Sequence, residues 1–254
     1  MKKALILAAG TGKRLGILTR DIPKCLLKID SERCLIDFSL EALVENGIKE
    51  ITFITGFRED KLKKHVLEKW AGKSKFDFIY NEKYEEYNNI YSAYLARDLW
   101  DDETVLLNSD IIFDQRILSD FVSKLTSSAL EKKSYLVIDN SKKLISEDMK
   151  VEVNTKGEIK KISKKLNNET SYGEYIGITY LRDSERIKFL QSLEKNVENK
   201  KLDIYYEDAL ADILINSSVF PCSTNGLLWT EVDTEEDYKA AKNIASLIRS
   251  PLVV

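Results

Sequence analysis

The chain has 254 residues, 43% of them hydrophobic, which is enough to bury the core of one large α/β domain and excludes a disordered chain. Its 39 Lys and Arg against 42 Asp and Glu leave a net charge of −3, so no global basic field draws it to nucleic acid and local charge must do any phosphate binding. Cys25, Cys34 and Cys222 lack the spacing of a disulfide framework or a zinc site and read as free, reduced thiols.

In chain order, Ala4 to Ala9 is an apolar run of one buried strand's length, too short for a membrane span. It follows two lysines but enters Gly-Thr-Gly-Lys-Arg rather than a small-residue cleavage site, so it is not a signal peptide and the protein reads as cytoplasmic. Gly10 and Gly12 allow backbone N–H groups to approach a phosphate chain closely, and Lys13 and Arg14 add charge beside them. Lys24 follows Pro23, whose fixed φ stiffens the loop's end. The dinucleotide fingerprint needs glycine where Leu15 stands, and the P-loop spacing is absent. Leu35 to Asn46 has helical spacing and stops at Gly47; the strand ITFITG comes next, which makes a βαβ unit with Gly56 at a carboxyl end where ligands collect.

Lys61 to Trp70 reads as a second helix, with the lone histidine, His65, at a solvated position; Ser-His-Asp and Cys-His chemistry would both depend on it. Phe76 to Tyr80 is a strand closed by Asn81. The segment NEKYEEYNNIYSAYLARDLW then crowds tyrosines and amides before a helix starting near Asn89 with Asn88 as N-cap. These residues either pack against the sheet or grip an anion or a small amino compound. Thr104 to Leu107 is a buried strand that stops at Asn108-Ser109-Asp110, leaving a carboxylate at the sheet's active edge. A helix over Leu118 to Leu130 and the strand SYLVID follow. Beyond Lys142, two short strands around Thr155-Lys156-Gly157 form a hairpin leading into YGEYIGITYL; Lys150 and Lys161 are candidate phosphate contacts on it. Ser184 to Asn199 is a polar helix, and Leu202 to Ile215 another. At its start Glu207 and Asp208 either complement the helix dipole or, with Tyr205 and Tyr206, receive a cationic or hydroxylated group. The last stretch, LLWTEVDTEEDY, gives a strand ending at Asp233 and a helix capped by Thr234 and Asp237.

The order G-x-G-x-R-L then Pro-Lys, carried by Gly10, Gly12, Arg14, Leu15, Pro23 and Lys24, resembles the signature of the sugar-nucleotidyltransferase superfamily. With PKCLL, NEKYEEYNNIYSAYLA, NSDIIFD, YYEDAL and EVDTEEDY in order, the chain most resembles bacterial CTP:phosphocholine cytidylyltransferases and related 2-aminoethylphosphonate cytidylyltransferases. Asn88, Asn89 and Ser92 are the most discriminating part of that likeness. The resemblance implies an α/β fold, a Rossmann-like mostly parallel sheet flanked by helices of the nucleotide-diphospho-sugar transferase type. It implies one nucleotidyltransferase domain over 1–254, with a small antiparallel acceptor-binding insertion around 140–182. Asp110 and Asp233 match the family's metal aspartates, and two carboxylates suit Mg²⁺.

By the same resemblance, Leu7, Ala8, Ala9, Gly10, Thr11, Gly12, Lys13, Gly56, Asn81, Asn89 and Ser92 would hold CTP, with backbone at Leu7, Ala8 and Gly56 reading the pyrimidine. Arg14, Lys24, Asp110 and Asp233 would be catalytic. Tyr91, Lys150, Tyr205, Tyr206, Glu207, Asp208 and Glu231 would receive the acceptor, a small phosphorylated amino alcohol such as phosphocholine. The implied reaction is attack by the acceptor's phosphate oxygen on the α-phosphorus of CTP with loss of pyrophosphate. Partners are then CTP and the acceptor, without nucleic acid or membrane insertion, and a homodimer is compatible with the sequence. Open alternatives are 2-aminoethylphosphonate, inositol phosphate or sugar 1-phosphate as acceptor; for the glucose-1-phosphate enzymes a C-terminal β-helix is expected, for which the chain ends too soon. A nucleotide-binding regulatory module without activity is the alternative of another class, and it would be expected to lose a metal carboxylate or Arg14.

Overall fold

A computed structural model of the chain describes residues 1–127 and 133–248. The apolar run after the N-terminal lysines forms β1 (Lys3–Ala8), followed by α1 (Leu35–Glu45), β2 (Glu50–Thr55), α2 (Glu59–Trp70) and β3 (Lys75–Tyr80). The Asn-rich stretch opens α3 (Asn89–Leu95), with the Asn88 side chain accepting from the Asn89 N–H as an N-cap. Next come β4 (Thr104–Asn108), β5 (Ile111–Phe113), α4 (Gln115–Ser127) and β6 (Ser134–Asp139). The helix expected over Leu118 to Leu130 thus begins earlier, and residues 128–130 lie outside the described residues. The hairpin is β7 (Lys150–Val153) and β8 (Ile159–Ser163), leading into β9 (Gly173–Tyr180). Then follow α5 (Asp183–Glu198), α6 (Tyr206–Leu214), β10 (Val219–Ser223), β11 (Trp229–Glu231) and α7 (Glu235–Leu247).

The main sheet runs β10-β6-β9-β4-β1-β2-β3, with β7 paired to β9 and β8 to β7. β1 is parallel to both β2 and β4, β2 to β3, and β10 to β6, whereas β9 lies antiparallel between β4 and β6. A strand covered by helices on both faces must be apolar along its buried length, and β1 is so from Ala4 to Ala8. Ala4, Ile6 and Ala8 pack with residues of α1, α2 and α4, while Leu5 and Leu7 pack with α3, α5 and α6 on the other face. The register sets Ala8 beside Thr55 and Leu7 beside Asn108, so β1, β2 and β4 end together. Their carboxyl ends make one rim, where an open α/β sheet binds ligands. No helix among the described residues is long and apolar enough to cross a membrane.

The three cysteines are free and buried, as expected. His65 departs from the expected solvated position: its Nε2 lies 2.8 Å from Asp37 Oδ1. Asp37 is fully buried in α1 and also accepts from the Cys34 N–H, Lys69 Nζ and Trp70 Nε1. A buried carboxylate is tolerated only when its oxygens are this well supplied with donors. The hub therefore ties α2 to α1 behind the sheet, and with Lys69 inside its shell it is built for an anion's partners rather than for a cation, although Cys34 lies within ligand range of Asp37 and His65.

Burial opposes the Asp37 charge, but bonds from His65, Lys69, Cys34 and Trp70 outweigh it and hold its pKa down at about 2. A depressed carboxylate stabilises the fold above the unfolded value, near pH 4, and that contribution of about 2 kcal/mol is lost as pH falls toward 2. Urea unfolding across this window should show the loss in the wild type. In Asp37→Asn the acid limb should flatten and stability at pH 7 should fall by about 3 kcal/mol.

Candidate functional site

The loop after β1 owes its shape to Gly12, whose φ of 64° is left-handed and favours glycine. Its carbonyl accepts from the Leu15 N–H at 3.0 Å and from Thr19 Oγ1 at 2.8 Å. A Cβ there would sit 3.1 Å from the Lys24 Cβ, so the glycine turn closes onto the Pro23-Lys24 turn. A 3₁₀ segment, Lys13–Thr19, carries Arg14 on the outside of this loop.

Asp110 and Asp233 meet because of a short ribbon away from the main sheet. β5 pairs antiparallel with β11, Ile111 opposite Glu231, and the Val232 N–H donates to the Asp110 carbonyl at 2.8 Å. Asp233 follows immediately and is held by the cap of α7, where its N–H and that of Thr234 donate to Asp237 Oδ2. Between the two carboxylates lies one ammonium. Lys24 Nζ is 2.7 Å from Asp110 Oδ2 and 2.7 Å from Asp233 Oδ1, and Arg14 Nη2 is 2.5 Å from Asp233 Oδ2.

Burial disfavours the Lys24 charge, yet Asp110 and Asp233 outweigh it and raise its pKa above the ordinary lysine value. Asp233 is held below the usual carboxylate range, burial being overcome by Lys24 and then Arg14. Glu231 moves the other way: crowding by protein and the charges of Asp110 and Asp233 push it up to about 8. Solvent still reaches Glu231 from the cleft, so charge repulsion counts for more there than loss of water.

Asp110, Glu231 and Asp233 each offer a carboxylate oxygen within 4.8 Å of the others, and Asp110 Oδ1 is buried with no hydrogen-bond partner. An all-oxygen donor set with an orphaned buried oxygen fits a hard divalent cation such as Mg²⁺. Such an ion would relieve the repulsion that raises Glu231.

These groups line a cleft of about 380 Å³. Of the residues singled out in the sequence, it is lined by Leu7, Ala8, Ala9, Gly10, Thr11, Gly12, Lys13, Arg14, Lys24, Asn81, Asn89, Ser92, Asp110, Tyr205, Glu207, Glu231 and Asp233. Some of these are committed to the protein. Asn81 Nδ2 donates to Ser92 Oγ, and Asn89 Oδ1 accepts from the Tyr206 N–H, so both amides brace the walls.

Gly56, Tyr91, Lys150, Tyr206 and Asp208 do not line the cleft. Tyr91 stacks on Tyr94 and meets Tyr87 edge-on. Tyr206 is fully buried, bonding Tyr175 and Asn108 through its hydroxyl, and Asp208 caps α6 by accepting from the Tyr205 N–H. Lys150 is also fully buried; its Nζ donates to the carbonyls of Ile145, Ser146 and Asp148 and so anchors the loop before β7. Lys161 pairs with Glu152 across the hairpin.

The far half of the cleft adds Glu147, Met149, Lys164 and Tyr175, which sequence reasoning passed over because nothing in the hairpin's pattern marks which side chains face inward. Glu207 is 7% exposed, its Oε2 has no partner, and burial followed by the charges of Asp208 and Asp110 lifts it to about 7.

The chain is similar to known proteins over nearly its whole length. The model of a family described as nucleotidyl transferase matches residues 3–245. The chain is similar to the CTP:phosphoglutamine cytidylyltransferase of Campylobacter jejuni, at 30% identity over 92% of this chain and 96% of the relative. It is also similar to the choline-phosphate cytidylyltransferase of Streptococcus pneumoniae, at 24% identity over 95% of this chain and 97% of the relative. Among solved structures, the inositol-1-phosphate CTP transferase from T. maritima shares the fold with a TM-score of 0.76, 23% identity and 98% coverage of both chains.

Gly56 serves the cleft through its missing side chain. A Cβ would lie 2.6 Å from the Tyr84 Cβ and 2.7 Å from the Ala9 carbonyl oxygen, so Gly56→Ala must push the end of β2 away from the loop after β1. The expected cost is about 1–3 kcal/mol in urea unfolding, the range for overpacking a close contact.

Proposed function

The chain belongs to the nucleotidyl transferase family, and we propose that it is a Mg²⁺-dependent cytidylyltransferase joining CMP from CTP to a small phosphorylated amino compound. The observation that carries this reading is the Asp110–Lys24–Asp233 cluster set against the Gly10–Arg14 loop in one cleft. Two relatives aligned over nearly their whole lengths are named for CTP-dependent transfer to phosphorylated amino compounds, which supports both the nucleotide and the acceptor class.

In the proposed reaction an oxygen of the acceptor's phosphate attacks the α-phosphorus of CTP, a P–O bond forms, and the bond to the β-phosphate breaks with its electron pair leaving on pyrophosphate. The nucleophile is already an anion near neutral pH, so the site needs alignment and charge neutralisation rather than a general base. The Gly10 to Gly12 amides with Lys13 and Arg14 hold the β,γ-phosphates that depart. Lys24 steadies the α-phosphate or the incoming one. Asp110 and Asp233, joined by Glu231, would hold Mg²⁺, which when bound would neutralise charge on the phosphates. Backbone at Leu7 and Ala8 reads the pyrimidine, with the Asn81–Ser92 pair bracing the wall behind it.

For the acceptor's far end, Glu207 supplies a buried carboxylate oxygen lacking a donor, and Glu147 adds a second negative charge. A positively charged amino group meets that need. Tyr205, 43% exposed beside Glu207, offers the ring face.

Pyrophosphate release with CTP, Mg²⁺ and a panel of phosphocholine, 2-aminoethylphosphonate, phosphoethanolamine and glucose 1-phosphate tests the reading. Turnover is expected with an amino-bearing acceptor and not with the sugar. Silence with every acceptor despite tight CTP binding would instead identify a nucleotide-binding module. Asp110→Asn and Asp233→Asn should each lower kcat by about 10²–10³ with the fold retained, as loss of a charge-stabilising contact does.

A further inference from the structure

Both oxygens of Asp233 are taken by cations of the protein itself: Oδ1 by Lys24 at 2.7 Å and Oδ2 by Arg14 at 2.5 Å. Lys24 also holds Asp110 Oδ2 at 2.7 Å, and of this carboxylate pair only Asp110 Oδ1 is left without a partner. A divalent ion shared by Asp110 and Asp233 would therefore compete with Lys24 and Arg14 for the oxygens of Asp233 and meet the repulsion of both cations. Both of those side chains line the cleft beside the glycine loop, where a bound phosphate chain would offer them a new anionic partner. Arg14 is 64% exposed at its side chain and leaves cheaply, whereas Lys24, at 14%, would be left buried and unpaired unless a phosphate took over from the carboxylates.

We infer that Lys24 is an exchangeable counter-ion: it holds the two carboxylates together in the free protein and trades them for phosphate when cation and nucleotide bind, so that neither binds well alone. The inference rests on the nucleotidyl transfer proposed above and adds to it a linkage between two ligands, which must be reciprocal. Removing the ammonium should raise the free protein's affinity for a divalent cation, because Asp110 would then lose its cation partner and Asp233 would keep only Arg14. The same substitution should abolish the gain in cation affinity that nucleotide confers.

The test is Mn²⁺ binding, read by electron paramagnetic resonance, to the wild type, Lys24→Met and Lys24→Gln, without nucleotide and with a non-hydrolysable CTP analogue. For the free protein the expectation is binding at least about fivefold tighter in either variant than in the wild type, the lower end of ordinary coupling between sites. Equal or weaker binding in folded variants overturns it. Should neither variant fold, a crystal structure of the wild type with Mn²⁺ and the analogue decides: Lys24 Nζ is expected on phosphate oxygen and away from at least one carboxylate. Mn²⁺ on Asp110 and Asp233 with Lys24 still bridging both overturns the exchange alone. No Mn²⁺ at these carboxylates even with the analogue bound removes the metal reading itself, and the exchange with it.

Discussion

One ammonium between two carboxylates holds this site together. Asp110 and Asp233 come from distant parts of the chain, and like charges this close repel unless something stands between them. Lys24 does so, and because it follows Pro23 on a turn touching Gly12, the ion cluster also fixes how near the glycine loop lies to the carboxylates. Removing one member of such a partly buried cluster would leave charge uncompensated, which is what keeps the three groups together in the free protein.

The remaining architecture serves to bring these three groups to one rim. The parallel register of β1, β2 and β4 aligns their carboxyl ends, and β9 runs back between β4 and β6, tightly enough that Gly177, at φ 86°, leaves no room for a Cβ beside Asn108. That contact, with the hydroxyl chain from Asn108 through Tyr206 to Tyr175, ties the start of α6 to the end of β4. Glu207, in the first turn of α6, is thereby held at the cleft.

Much of this was legible in the sequence, for reasons that can be named. A fully buried strand must be apolar throughout, so Ala4 to Ala9 and Thr104 to Leu107 declared themselves, and a turn that needs positive φ required Gly12. Residues whose roles depend on distant partners were not legible. β5 and β11 are three residues each, too short for any periodicity, yet their pairing is what sets Asp233 beside Asp110. Lys150 reads in the sequence as a candidate phosphate contact on the hairpin, and only the folded loop shows three carbonyls gathered around it. His65 sits in a charged helical run whose sequence gives no sign of the buried Asp37 beneath it. The Asn88–Asn89–Ser92 element was legible as important; its amides and hydroxyl turn out to brace α6 and the end of β3.

The central claim is that Asp110 and Asp233 would hold a divalent ion in the cleft where the glycine loop would hold a nucleotide, close enough to neutralise its phosphates. Its most direct test is ³¹P relaxation of a non-hydrolysable CTP analogue in the presence of protein and Mn²⁺. The account predicts strong paramagnetic enhancement at the α-phosphorus with the wild type and its loss in the Asp110→Asn/Asp233→Asn double variant under conditions where the nucleotide remains bound. Equal enhancement in both proteins would place the ion elsewhere and contradict it.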